Sequence, residues 1–177
     1  MKKSFYDHIS PVINHRHLLL DTNFLIEAYH HPDVYADLNS FFSDNEAVLT
    51  TINSVIVEFL IGNRSLRELK LKQLFLESMI EIILPTTQDI NDNLIEKIVP
   101  FYKENKSRST ITDLYLAATC VKYGQNILLV TKNHKDFLPT VFELEGLIPI
   151  ETDLIYDIYG VYSFSESKVA TVLSKYK

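Results

Sequence analysis

The chain has 177 residues, 46% of them hydrophobic, with 10 Tyr and 10 Phe; that is enough for one domain with one buried core, short for two, and far from a disordered composition. Only 4 Gly and 6 Pro are spread along it, which excludes collagen-like or linker-rich architectures and disfavours a turn-dense β barrel. The formal net charge of −6 argues against a protein that coats nucleic acid through a uniformly basic surface, while leaving room for a local basic rim.

In chain order, the apolar run at 17–20 reads as a buried strand ending at Asp21, and a helix over 24–31 follows the Asp21-Thr22-Asn23 turn and stops at Pro32. A second helix over 34–42 leads through Ser43-Asp44-Asn45 into a strand at 47–51. Asn53 and Ser54 are N-cap types for a helix over 55–61 ended by Gly62-Asn63, and a further helix covers 66–78. A strand at 80–84 precedes Pro85, and a helical stretch over 87–102 is open to shortening by Pro100. From Thr112, the positions Leu114, Ala117, Ala118 and Val121 form one stripe of an amphipathic helix ended by Gly124. A strongly apolar strand at 126–131, a short strand at 147–150 and a C-terminal helix from about Glu166 complete the pattern. Apolar strands alternating with helices predict a parallel sheet covered on both faces, with ligands bound beyond the carboxyl ends of its strands.

Four carboxylates fall at such places. Asp21 ends the first strand, Glu58 interrupts Val55-Ile-Val-Glu-Phe-Leu-Ile61, Asp113 opens the Ala-rich helix and Asp136 follows the strand at 126–131. Each has a plainer explanation: an N-cap for Asp21, favourable first-turn charge for Asp113, an ordinary loop acid for Asp136. Glu58 is harder to dismiss, because an ionised carboxylate among six apolar residues is costly without a partner or a crevice.

The stretches Leu18-Leu-Leu-Asp-Thr-Asn23, Asn53-Ser-Val-Ile-Val-Glu-Phe59, Asp113-Leu-Tyr-Leu-Ala-Ala-Thr119 and Leu129-Val-Thr-Lys-Asn-His-Lys-Asp-Phe137 resemble, in this order, the motifs of PIN-domain nucleases, and in particular of VapC-type ribonuclease toxins of toxin–antitoxin pairs. The resemblance covers about residues 17–150 of what reads as a single PIN-like domain over 1–177, with an N-terminal extension at 1–16 and an aromatic, acidic extension at 152–177. It implies a Rossmann-like three-layer α/β/α sandwich with a central parallel sheet. Asp21, Glu58, Asp113 and Asp136 match the family's acidic quartet, with Asn23, Thr131 and Asn133 as supporting polar positions. Asn133 stands where some relatives place an acid, so the roles of Asn133 and Asp136 stay open between them.

Converging carboxylates repel one another and require either raised pKa values or bound cations, and hard divalent ions prefer such oxygen donors. The expected cofactor is therefore one or two Mg²⁺ (or Mn²⁺) ions, which would orient and deprotonate a water and stabilise the leaving oxygen of a phosphodiester. The expected function is metal-dependent endoribonuclease, the toxin of a toxin–antitoxin pair; the alternative is a catalytically inactive PIN-like module that binds RNA or protein.

RNA is expected to approach over Arg64, Arg67, Lys106, Arg108 and Lys132, which lie close in sequence to the quartet; the same clusters, with Lys70, Lys72 and Lys103, also read as solvated helix faces. The expected partners are RNA, an antitoxin protein and a second copy in a homodimer. Tyr156, Tyr159, Tyr162, Phe164 and Tyr176 of the C-terminal extension suit either packing on their own domain or a subunit interface.

Competing chemistry is thin. His15-Arg-His17 and His30-His31 lack a Cys partner or HExxH spacing, no GxGxxG or GxxxxGK[ST] loop is present, and Cys120 reads as a buried structural thiol. A phosphatase with Asp21 as nucleophile wants a second acid where Asn23 stands. With one Cys, a polar N-terminus and no run approaching the roughly 18–20 apolar residues of a membrane span, a cytoplasmic protein is expected.

Overall fold

The computed structural model describes residues 6–63, 65–104, 109–137, 139–151 and 156–173. A short helix α1 (Ser10–Ile13) leads into β1 (His17–Leu20), followed by α2 (Thr22–His30), α3 (Pro32–Asp44), β2 (Val48–Ile52), α4 (Asn53–Ile61), α5 (Leu66–Met79) and β3 (Ile82–Leu84). Next come α6 (Gln88–Asn93), a π-helical stretch (Leu94–Ile98), α7 (Val99–Glu104), α8 (Ile111–Tyr123), β4 (Ile127–Thr131), β5 (Phe142–Glu151), β6 (Tyr156–Phe164) and α9 (Glu166–Leu173). None of the described helices is long and apolar enough to cross a membrane.

The six strands form one sheet in the order β3-β2-β1-β4-β6-β5. The first four are parallel, with His17 level with both Val48 and Ile127. The crossovers through α2–α3 and α4–α5 step one way across the sheet, and the crossover through α6–α8 steps back to β4. Because parallel crossovers are right-handed, the two helix sets cover opposite faces, giving three layers and a switch point between β1 and β4. Burial on both faces explains the unbroken apolar runs: Leu18, Leu19 and Leu20 are fully buried, and so is all of β4.

The central parallel sheet of the expected sandwich is extended by two antiparallel strands: β6 is antiparallel to β4 and pairs along its length with an antiparallel β5. The strand expected at 147–150 is the end of a ten-residue strand, and residues 156–164 of the aromatic extension are themselves a strand inserted between β4 and β5. Tyr159, Tyr162 and Phe164 are thereby buried, and Tyr159 meets Phe24 of α2 edge-on at 5.1 Å between ring centres. The N-terminal segment packs as well, through buried Tyr6, Ile9 and Ile13. Gly146 makes room for it, since a Cβ there would collide with the Ile9 side chain.

Three local differences have physical causes. The single helix expected over 87–102 loosens into the π-helical stretch just ahead of Pro100, which has no N–H for the helix ladder. Asn53 and Ser54 do not cap α4; Asn53 is its first helical residue, and the position before it is Ile52. Lys72 does not lie on a solvated face either. It is 6% exposed, donates to the Phe59 carbonyl at 3.0 Å and sits 4.7 Å from the Phe59 ring centre. Gly124 ends α8 at φ +56°, a conformation that favours glycine. Cys120 is buried, and burial pushes its thiol up to about 12, as suits a structural group.

Candidate active site

Asp21 is the first residue beyond β1, held against β4 by its N–H donating to the Val130 carbonyl. It is also the N-cap of α2, so its capping role and its place at the sheet edge coexist. Its Oδ1 accepts from the Thr22 amide at 2.6 Å, and its Oδ2 accepts from the Thr131 hydroxyl at 2.6 Å and from Asn23 Nδ2. Thr131 Oγ1 is saturated, since it also accepts from Asn23 Nδ2 at 3.0 Å and from the Asn133 amide at 2.9 Å. Asn23 Oδ1 in turn accepts from the Lys132 amide. The Asp21 carboxylate is thus fixed by the first turn of α2 and the end of β4 together.

Burial pushes the Asp21 carboxyl up to about 6, opposed by the bonds from Thr131 and Thr22 and reinforced by the charges of Asp113 and Glu58. Asp113, 5% exposed on the first turn of α8, is also raised, again mainly by burial, with Asp136 and Glu58 adding repulsion. Asp113 therefore shares a field with each of the other three acids. Its Oδ2 closes a capping box, accepting from the Thr110 amide at 2.7 Å and the Thr110 hydroxyl at 2.8 Å.

Glu58 has a partner and access to solvent, which offset the cost of its apolar neighbours in sequence. It lies on an exposed face of α4, and its Oε2 accepts from Thr22 Oγ1 at 3.0 Å. Thr22 thus bonds to two acids at once, Asp21 through its amide and Glu58 through its hydroxyl. Asp136 accepts from Ser109 Oγ at 2.9 Å and from Asn133 Nδ2, and its carbonyl accepts from the Tyr102 hydroxyl. Asn133 therefore supports both Thr131 and Asp136. Among the described residues no three His, Cys, Asp or Glu groups are gathered closely enough to form a ready-made cation cage, so the acids make an open cluster.

Sequence reasoning missed Thr22, Ser109, Thr110 and Tyr102. The Thr110-x-x-Asp113 spacing is a capping-box signature and was available; the Ser109 and Tyr102 contacts to Asp136 depend on the tertiary fold.

The basic rim is redrawn. Arg67 is exposed on α5, while Arg64, Lys106 and Arg108 lie outside the described residues. Lys132 is not a spare cation: its Nζ pairs with Glu27 at 2.6 Å and with Asp157 at 3.4 Å, tying α2 and β6 to the end of β4.

Comparison with curated proteins and with solved structures gives no match. The family model described as "PIN domain" matches residues 18–138, from the middle of β1 through the loop bearing Asp136. That span is more than half the chain and contains all four acids, and the six-stranded sheet flanked by helices is the three-layer α/β arrangement. The chain belongs to the PIN domain family, a nuclease fold.

Proposed function

We propose that this chain is a divalent-metal-dependent endoribonuclease acting as the toxin of a toxin–antitoxin pair. The observation that carries the reading is the placing of Asp21, Glu58, Asp113 and Asp136 at one edge of the sheet, each held by a neighbouring hydroxyl or amide, with Asp21 and Asp113 raised by burial and by the other acids. Clustered acids at the switch point cost stability unless a cation or proton offsets them.

The donor set fits a hard ion, being made of carboxylate oxygens, and Mg²⁺ or Mn²⁺ would be held by Asp21, Glu58, Asp113 and Asp136. When bound, such an ion supplies an activated water and charge stabilisation at the phosphodiester. The chain's own residues pre-orient the acids: Thr131, Asn23 and the Thr22 amide fix Asp21, the Thr22 hydroxyl fixes Glu58, Thr110 fixes Asp113, and Ser109 with Asn133 fixes Asp136. Ordering the cluster is thereby accomplished during folding rather than during the reaction. RNA phosphates approach over Arg67, with Arg64, Lys106 and Arg108 assigned to the same rim by their place in sequence. An antitoxin and a second copy of the chain are the proposed protein partners.

The purified chain is expected to cut RNA with Mg²⁺ or Mn²⁺ and to stop in EDTA, and Asp21→Asn or Asp113→Asn is expected to abolish cutting with the fold retained. Cutting that survives EDTA or both substitutions overturns the reading. Growth arrest on expression of the wild type but not of Asp21→Asn tests the toxin role. The open spacing of the acids favours a second reading, a module that binds RNA or protein without cutting; RNA binding with no cleavage at any metal concentration selects it.

A further inference from the structure

A cleft of about 570 Å³ opens at the opposite edge of the sheet, where β1 and β4 begin, lined by Asn14, Arg16, His17, Tyr123, Asn126 and Ile127 with His15 at its side, and it reaches across the sheet face to Leu84 at the end of β3. His17 and Ile127 are level in the sheet and their side chains share one face, so the cleft opens on the face covered by α8. The four-residue strand between His17 and Asp21 puts the His17 end of the cleft about 13 Å from Asp21.

We propose that this cleft binds a nucleoside 5′-monophosphate. Charge is the first argument. In a chain with 23 acidic and 17 basic residues, no Asp or Glu is among the described residues that line the cleft; His15 is paired with Glu46 at 3.0 Å, which leaves Arg16 as the cleft's unpaired cation. The Arg16 guanidinium is positioned by donating from Nη1 to the Gln125 carbonyl and has no carboxylate partner among the described residues, which leaves the rest of its donor fork for an anion. The second argument is size and lining. The volume is that of a small-molecule site, much larger than a phosphate alone needs. Tyr123, Ile127 and Leu84 offer a planar ring an apolar seat, and the Asn14 and Asn126 amides offer both donors and acceptors to its edge. The proposal stands apart from the nuclease reading, because it uses none of the four acids and no metal.

Titration of the full chain in EDTA with adenosine, guanosine, cytidine and uridine 5′-monophosphates, with the matching nucleosides and with inorganic phosphate, followed by calorimetry and by amide NMR shifts, tests it. At least one monophosphate is expected to bind more tightly than its nucleoside or phosphate, shifting the amides of His17, Tyr123 and Asn126. Arg16→Gln should weaken that binding about tenfold or more. Tyr123→Leu should weaken the nucleotide while leaving phosphate unchanged. No monophosphate binding by the wild type overturns the proposal, as does undiminished binding by Arg16→Gln. Shifts confined to the surroundings of Asp21 and Asp113 overturn it too, and this readout needs no variant to fold.

Discussion

The two edges of the sheet solve opposite problems with the same strands. At the carboxyl edge, four acids share one field and their neighbouring polar groups are committed: the Thr131 hydroxyl has three partners, and Thr22 serves two carboxylates. The unmet need there is positive charge. At the amino edge, Glu46 offsets His15 but Arg16 has no carboxylate partner among the described residues, so the unmet need is negative charge. The difference shows that a net charge of −6 says little about either place, because the fold separates the charges that composition averages.

The largest effect should appear in pH-dependent stability, measured by denaturant unfolding in EDTA. The Asp21 carboxyl rises from 3.8 to about 6 on folding, so the native state holds a proton that the unfolded chain releases at lower pH. Its favourable contribution is complete below pH 4 and is lost as pH climbs through 6, a swing with a ceiling of roughly 3 kcal/mol. Asp113, raised in the same direction, adds to it. Mg²⁺ or Mn²⁺ at neutral pH should restore stability, and Asp21→Asn should flatten the profile. A carboxyl-edge profile that is flat in the wild type would erase the contrast between the edges.

A smaller effect is expected at Thr131. Thr131→Val keeps the shape but removes the hydroxyl that steadies Asp21, so Mn²⁺ affinity should fall about 10–100-fold, read by titration. The loss should not extend to nucleotide binding at the amino edge; a loss at both edges would mean that the substitution disturbs β4 as a whole.

The smallest effect distinguishes the cations. Lys132→Ala should cost at most about 1 kcal/mol of stability, given partly exposed pairs with Glu27 and Asp157, and should leave RNA affinity unchanged. Arg67→Ala should instead leave stability alone and weaken RNA binding with a shallower salt dependence. RNA affinity that falls for Lys132→Ala and holds for Arg67→Ala would reverse these assignments.

Two of the acids were legible because they stand where an apolar pattern breaks, Asp21 after Leu18-Leu-Leu20 and Glu58 inside an apolar helix, whereas Asp113 in the first turn of α8 and Asp136 in the loop after β4 were placed by the resemblance of their motifs. Their supports were less legible. Thr110 carries a local signature, but the Ser109 bond to Asp136 spans 27 residues and the Thr131 bond to Asp21 spans 110. Lys72 and Lys132 looked alike as exposed cations, and only their surroundings separate an ammonium held over Phe59 from one paired with two acids.

The sequence by itself determined the three-layer class, the strands β1, β2 and β4, and the positions of the four acids, because complete burial demands continuous apolar runs and function at this sheet edge demands polar residues directly after them. Only the tertiary structure decided that residues 156–164 enter the sheet between β4 and β5. A half-polar, Tyr-rich segment becomes a strand through the partners it meets, Thr131 opposite Gly160 and Val130 opposite Val161, and those partners lie too far along the chain for local pattern to reveal. The same holds for both edges of the sheet, where charge is assembled from residues distant in sequence.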